Sequence, residues 1–187
     1  MSGSELTPFS YVVLSLVGTG GAGPHDIVRM MRQGRMYWSA AESHYYAEPK
    51  RLARLGYLTA RKEPGRTRER TVYELTDRGR AAIRQWLAAP ATLPRIQHEA
   101  VVKLLAADLG NDEVVLGSLA ALREELADAA ARLDVAEAVA QTLPHRERYL
   151  RLVHSLGRRL LAAHAEWLDE VEAELGRGGR RARRPVA

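Results

Sequence analysis

Apolar positions along the chain fall into runs of helical period broken by glycine and proline, with one stretch that alternates instead. Phe9, Val12, Val13, Leu16 and Val17 recur at helical spacing after Thr7-Pro8. The threonine can cap a first turn, and proline suits the first helical position because its missing N–H would be unpaired there. Gly18, Gly20, Gly21 and Gly23 close that helix, and Pro24 opens a second whose buried side is Ile27, Val28, Met30 and Met31. Ser39-Ala40-Ala41-Glu42 has the spacing of a capping box. It predicts a third helix from there to about Leu55, capped at its C-terminal end by Gly56. Tyr45, Leu52 and Leu55 fall on the inner side of this helix. Ser43, His44, Ala47, Lys50 and Arg51 fall on the other, with Tyr46 at the border. Pro49 deletes one backbone hydrogen bond and predicts a kink or a tight turn.

The period then changes. Tyr57 to Lys62 reads as a short strand, Glu63 to Arg70 as a turn-rich basic segment, and Thr71 to Leu75 as the alternating return strand. Thr76 caps a fourth helix carrying Ala82, Ile83, Trp86 and Leu87. Three helices, a basic hairpin and a helix make a winged helix-turn-helix. In such a unit a helix offers short polar side chains to base edges in the major groove, while hairpin cations hold flanking phosphates. Ser43, His44 and Ala47 are expected to read bases. Lys50, Arg51, Arg61, Lys62, Arg66, Arg68 and Arg70 are expected to meet phosphate.

Beyond Pro90 and Pro94 the pattern is helical throughout. Ile96, Ala100, Val101, Leu104, Leu105 and Leu109 form one stripe. After Gly110-Asn111-Asp112, residues Val115, Leu119, Leu122, Leu126, Ala129, Leu133, Ala136, Ala140 and Leu143 follow at alternating steps of four and three, a heptad seam. A last helix after Pro144 carries Val153, Leu156, Leu160, Leu161, Trp167, Leu168, Val171 and Leu175. This much apolar surface exceeds what the segment can hide within itself and predicts pairing with an identical chain. The fold class is therefore mainly α. A winged helix-turn-helix over 5–90 precedes a helical, coiled-coil-like dimerisation domain over 95–176, and an arginine-rich tail over 177–187 is too polar to fold. A twofold dimer would set two reading helices about 34 Å apart and select an inverted repeat in double-stranded DNA.

Charge sharpens the division. Residues 1–90 hold 14 basic and 8 acidic side chains, 91–176 hold 9 and 15, and the tail holds five arginines and no acid. A basic first half suits a polyanion; an acidic middle does not. The absence of cysteine excludes disulfides and thiolate chemistry. No HExxH, P-loop, nucleophile elbow or dinucleotide fingerprint occurs among the 187 residues, so neither an enzyme, a cofactor nor a metal site is expected. No apolar run is long enough for a membrane span and no signal peptide is evident, which points to the cytoplasm. A second reading keeps the winged helix as a protein-interaction module that binds no DNA; three wing arginines argue against it.

The chain resembles the PadR family of bacterial transcriptional regulators. The resemblance rests on Leu6-Thr7 with the apolar first helix, Gly23-Pro24-His25, Trp38, Ser43-His44-Tyr45-Tyr46, Lys50-Arg51-Leu52, Leu55-Gly56-Tyr57-Leu58 and Tyr73-Glu74-Leu75-Thr76-Asp77-Arg78-Gly79. Where the family often has proline and then leucine after its recognition-helix tyrosine, this chain has Ala47 and Pro49. The resemblance implies a homodimeric repressor, with Tyr46 on the DNA-facing helix near phosphate. It also implies release from DNA by a small aromatic or amphipathic effector. Trp38, Trp86, His164 and Trp167 are the candidate effector contacts, although His164 beside Trp167 also reads as a satisfied core or interface histidine.

Overall fold

The computed structural model describes residues 5–18, 20–33, 37–38, 40–64 and 69–182. It divides into two compact units, Met1–Leu93 and Pro94–Ala187. The first contains α1 (Pro8–Val17), α2 (Pro24–Gln33), α3 (Glu42–Arg54), β1 (Leu58–Glu63), β2 (Arg70–Leu75) and α4 (Asp77–Ala88). The second contains α5 (Glu99–Leu105), a 3₁₀ turn at Ala107–Leu109, α6 (Asp112–Gln141) and α7 (Pro144–Ala182).

In the first unit Thr7 caps α1 and exchanges capping-box hydrogen bonds with Ser10. The buried face of α1 is Ser10, Val13, Leu14 and Val17, so a hydroxyl sits inside the apolar stripe. Ile27, Tyr45, Leu52, Leu58 and Tyr73 complete one core with it. α3 does not start at the expected capping box. Ala40 packs on the core and Ala41 is extended, so the helix begins at Glu42 with Ala41 as an N-cap that makes no side-chain bond. Ser39 lies outside the described residues. The helix runs unbroken through Pro49, which is buried, in place of the expected kink or turn. Gly56 ends it with φ +77, a left-handed conformation that L side chains resist.

β1 and β2 pair antiparallel, with Leu58 opposite Leu75 and Glu63 opposite Arg70. The glycine-rich turn after α1 is stitched to this hairpin by two hydrogen bonds of 3.0 Å between Ala22 and Tyr73. Thr76 caps α4; its hydroxyl donates to the Gly56 carbonyl at 2.7 Å and accepts the Gly79 amide at 3.0 Å. Gly79 has no alternative at this crossing. A Cβ there would stand 2.2 Å from the Tyr57 carbonyl oxygen.

In the second unit α6 and α7 form a hairpin. Asn111 caps α6. Val115 and Leu119 of α6 pack with Leu168 and Val171 of α7, beside Ala100 of α5. Leu133, Ala136 and Ala140 of α6 are buried farther along, as is His154 of α7. Bridges at both levels set the antiparallel register. Arg123 pairs with Asp169 and Glu172, and Arg158 with Asp134 and Glu137. The heptad seam is thus consumed within the chain. What remains exposed is another set, chiefly Val135, Val139, Tyr149, Leu152, Val153 and Leu156. The stripe expected from Ile96 to Leu109 is only partly realised: Ala100 and Leu104 pack inward, but Ile96, Leu105 and Leu109 are exposed. α7 continues to Ala182, past Arg177, where composition predicts an unfolded tail.

Candidate nucleic-acid interface

α3 divides its side chains by helical period. Tyr45, Pro49 and Leu52 are buried, which leaves the opposite face in solvent. Ser43, Tyr46, Ala47, Lys50 and Arg54 line one open groove there, at steps of three, one, three and four. This is the spacing of a single helical stripe. His44 is exposed at its flank, its ring 6.2 Å from that of Phe9. Lys50 and Arg54 have no hydrogen-bonding or ionic partner among the described residues. Sequence reasoning passed over Arg54, although it lies four residues beyond Lys50 on the same stripe. It also passed over His25 at the start of α2. That ring stands edge-on to Tyr46 at 5.7 Å, with its Nδ1 3.3 Å from the tyrosine hydroxyl.

Arg51 is not on this face. Its guanidinium turns inward and binds both oxygens of Glu48, at 2.7 and 2.8 Å. It also donates to the Ser10 hydroxyl at 2.9 Å and the Glu5 carbonyl at 3.0 Å. The reason is the three-residue spacing of Glu48 and Arg51, which puts them side by side on a helix, above a buried hydroxyl that wants partners. The Arg51 guanidinium holds the Glu48 carboxyl below the usual carboxylate range, against burial and with help from the Ser10 hydroxyl.

The wing cations are arranged differently. Arg61 donates to Glu63 at 2.7 Å and Glu74 at 2.8 Å, and Arg70 to Glu63 at 3.0 Å. Arg70 also stands 3.8 Å from Asp26 of α2. These pairs are exposed, and an exposed pair is worth at most about 1 kcal/mol, so a phosphate can compete for either guanidinium. Lys62 is exposed and has no partner among the described residues. Arg66 and Arg68 lie outside the described residues.

The four effector candidates have separate neighbours. Trp38 packs on Phe9 at 6.4 Å, and Trp86 stacks on Tyr11 at 4.8 Å with rings within 7° of parallel. In the second unit His164 donates from Nδ1 to the Leu160 carbonyl at 2.6 Å and stacks on His98 at 5.0 Å, while Trp167 meets His98 edge-on. His164 thus has both a hydrogen-bonding and a stacking partner. His98, which the sequence reading left unassigned, caps α5 by accepting the Val101 amide. Among the described residues no cluster of three or more histidine or carboxylate side chains could hold a metal ion.

Comparison with known proteins agrees with this geometry unit by unit. Residues 14–85 match the Transcriptional regulator PadR-like family, and residues 96–176 match the Virulence activator alpha C-term family. The Negative transcriptional regulator PadR of Bacillus subtilis is 27% identical over 180 residues, 87% of this chain and 94% of that protein. The Vibrio cholerae virulence activator AphA is 27% identical with a TM-score of 0.70, over 89% of this chain and 97% of that one. Bacillus subtilis PadR in complex with operator DNA shares the fold at a TM-score of 0.74 and 21% identity, over 91% and 98% of the two chains. A winged unit that matches the PadR-like family, followed by a helical hairpin that matches the Virulence activator alpha C-term family, makes this chain similar over both of its units to PadR-like transcriptional regulators.

Proposed function

We propose that this regulator binds an inverted repeat in double-stranded DNA as a homodimer, with the outer face of α3 in the major groove and the wing on the flanking backbone. The observation that carries the reading is the stripe Ser43, Tyr46, Ala47, Lys50 and Arg54, open to solvent on a helix whose other face is locked into the core. Ser43 and Ala47 are small enough to let the helix approach base edges, and exposed His44 adds a ring donor. Lys50, Arg54 and Lys62 supply cations with no competing carboxylate among the described residues. Arg61 and Arg70 exchange weak surface pairs for phosphate, as Arg66 and Arg68 of the wing would add theirs. Tyr46, oriented by His25, offers its hydroxyl to the backbone.

Dimerisation is assigned to the exposed apolar residues of the α6–α7 hairpin, since solvent contact with such a set costs free energy that a second copy removes. Repression follows the negative regulator of Bacillus subtilis; AphA is a virulence activator, so both signs of regulation occur at equal identity. A structure of Bacillus subtilis PadR with p-coumaric acid supports a small aromatic effector, for which Trp38, Trp86, His164 and Trp167 remain the candidate contacts. The PadR-like match favours DNA over a protein-binding platform, and the reading assigns no catalytic step and a cytoplasmic location. Among the described residues no helix is long and apolar enough to cross a membrane.

The test is binding of a labelled duplex, enriched by the full chain from random sequence, between 50 and 200 mM salt. Affinity should fall steeply with salt, and Lys50→Ala should reduce the log–log slope by about 1. Affinity indifferent to salt rejects phosphate contact. A compound that releases the duplex and quenches tryptophan fluorescence identifies the effector.

A further inference from the structure

The Ser10 hydroxyl is fully buried and its hydrogen-bonding capacity is filled. It donates to Glu48 at 2.7 Å and accepts from the Thr7 amide and from Arg51, each at 2.9 Å. A hydroxyl has one proton and two lone pairs, so nothing is left over. Glu48 and Arg51 are on the recognition helix; Ser10 and Thr7 are on and before α1; Glu5, whose carbonyl takes a further Arg51 bond, precedes them. The cluster therefore ties one flank of α3 to α1 through charged, directional bonds rather than apolar contact. It does so around Pro49, the one place where α3 lacks an amide for its own hydrogen-bond ladder.

The outcome is control of rotation. Apolar packing of Tyr45 and Leu52 tolerates small turns of a helix about its axis; a forked guanidinium on a carboxylate does not. Side-chain tips lie about 5–6 Å from a helix axis, so a turn of ~10° moves them by about 1 Å. Base recognition is lost at errors of that size. Ala47 and Lys50 are the chain neighbours of Glu48 and Arg51, so whatever fixes the inner pair fixes the outer one.

Resting on the DNA-binding reading, we propose that Glu48 is a positioning residue, which through Ser10 and Arg51 sets the azimuth of α3 and hence the sequence preference of the protein. It touches no DNA. Its carboxylate faces the protein, where its work is to hold Arg51 against the Ser10 hydroxyl.

The experiment uses the full chain and two duplexes, one enriched by the wild-type protein from random sequence and one a scramble of it. Glu48→Gln keeps the shape and removes the charge; Ser10→Ala removes the buried hydroxyl and adds nothing. Each should lose about tenfold in affinity for the enriched duplex, on the scale of one base pair's worth of recognition, and keep its affinity for the scramble within about twofold. Salt slopes should stay as in the wild type, since no phosphate contact is removed. A merely structural role would lower the unfolding temperature but leave the ratio of the two affinities unchanged, and that unchanged ratio in either folded variant overturns the inference. If the wild type enriches no duplex at all, the DNA-binding reading falls and the inference with it.

Discussion

The two units differ in what they do with apolar residues. In the first, Leu14, Ile27, Leu52 and Leu58 are at most 1% exposed and the solvent-facing stripe of α3 is polar or small. In the second, Leu119 and Leu168 are as well hidden, yet Tyr149 and Leu152 of the same hairpin are more than 60% exposed. The first unit hides its core, leaves Leu87 and Leu93 exposed toward its C-terminal end, and offers charge on α3; the second has completed one seam and offers a second apolar surface. A polar outer face on one unit and an apolar one on the other match the two tasks proposed for them, reading a polyanion and pairing with a second copy.

The largest way to disturb this contrast is at Gly79. Glycine-to-alanine puts a methyl group into the Tyr57 carbonyl and should cost about 3 kcal/mol, seen as an early loss of the first unit in urea unfolding. An unchanged midpoint would mean that α4 can stand off from β1. Leu156→Glu acts on the other side of the comparison. It should leave far-UV helicity intact, because Leu156 is outside the seam, while sedimentation at micromolar concentration shifts from dimer to monomer. Persistence of the dimer would move the interface elsewhere on the hairpin.

The smallest effect is a pH dependence confined to the second unit. Burial, and then the neighbouring His164, push the His98 imidazole below its ordinary value of 6.5. Below 6.5 the unfolded chain binds more protons than the folded one. Stability of this unit is therefore complete above 6.5 and declines as pH falls from there toward the folded value. His98→Asn keeps an acceptor for the Val101 amide and should flatten the decline in unfolding measured at pH 7.5 and 5.5. Equal slopes in variant and wild type would clear His98 of the effect.

Local chemistry was legible in the chain wherever it is decided within a few residues. Thr7-Pro8, Asn111 and Thr76 open helices as their types require, and the alternation of Thr71 to Leu75 gives the return strand. The outer stripe of α3 was legible up to Lys50. Choices made by distant partners were not. Ser39-Ala-Ala-Glu42 has the letters of a capping box, but the packing of Ala40 overrides them. Arg51 carries the charge expected at phosphate, yet Ser10, 41 residues away, draws it inward. Its spacing from Glu48 was the available signal. The heptads from Val115 to Ala140 announced a zipper, and their surplus pointed to an identical chain as its partner; α7 of the same chain closes it instead, because its own apolar stripe packs on Val115 and Leu119.

That closure by α7 has a kinetic consequence. Each hairpin zips against itself, so in the proposed dimer a departing subunit leaves with its own core sealed. Two differently labelled populations should therefore scramble on mixing, at a pace set by the parting of folded chains rather than by their melting. A closely related paralogue with a matching outer surface could enter the same exchange.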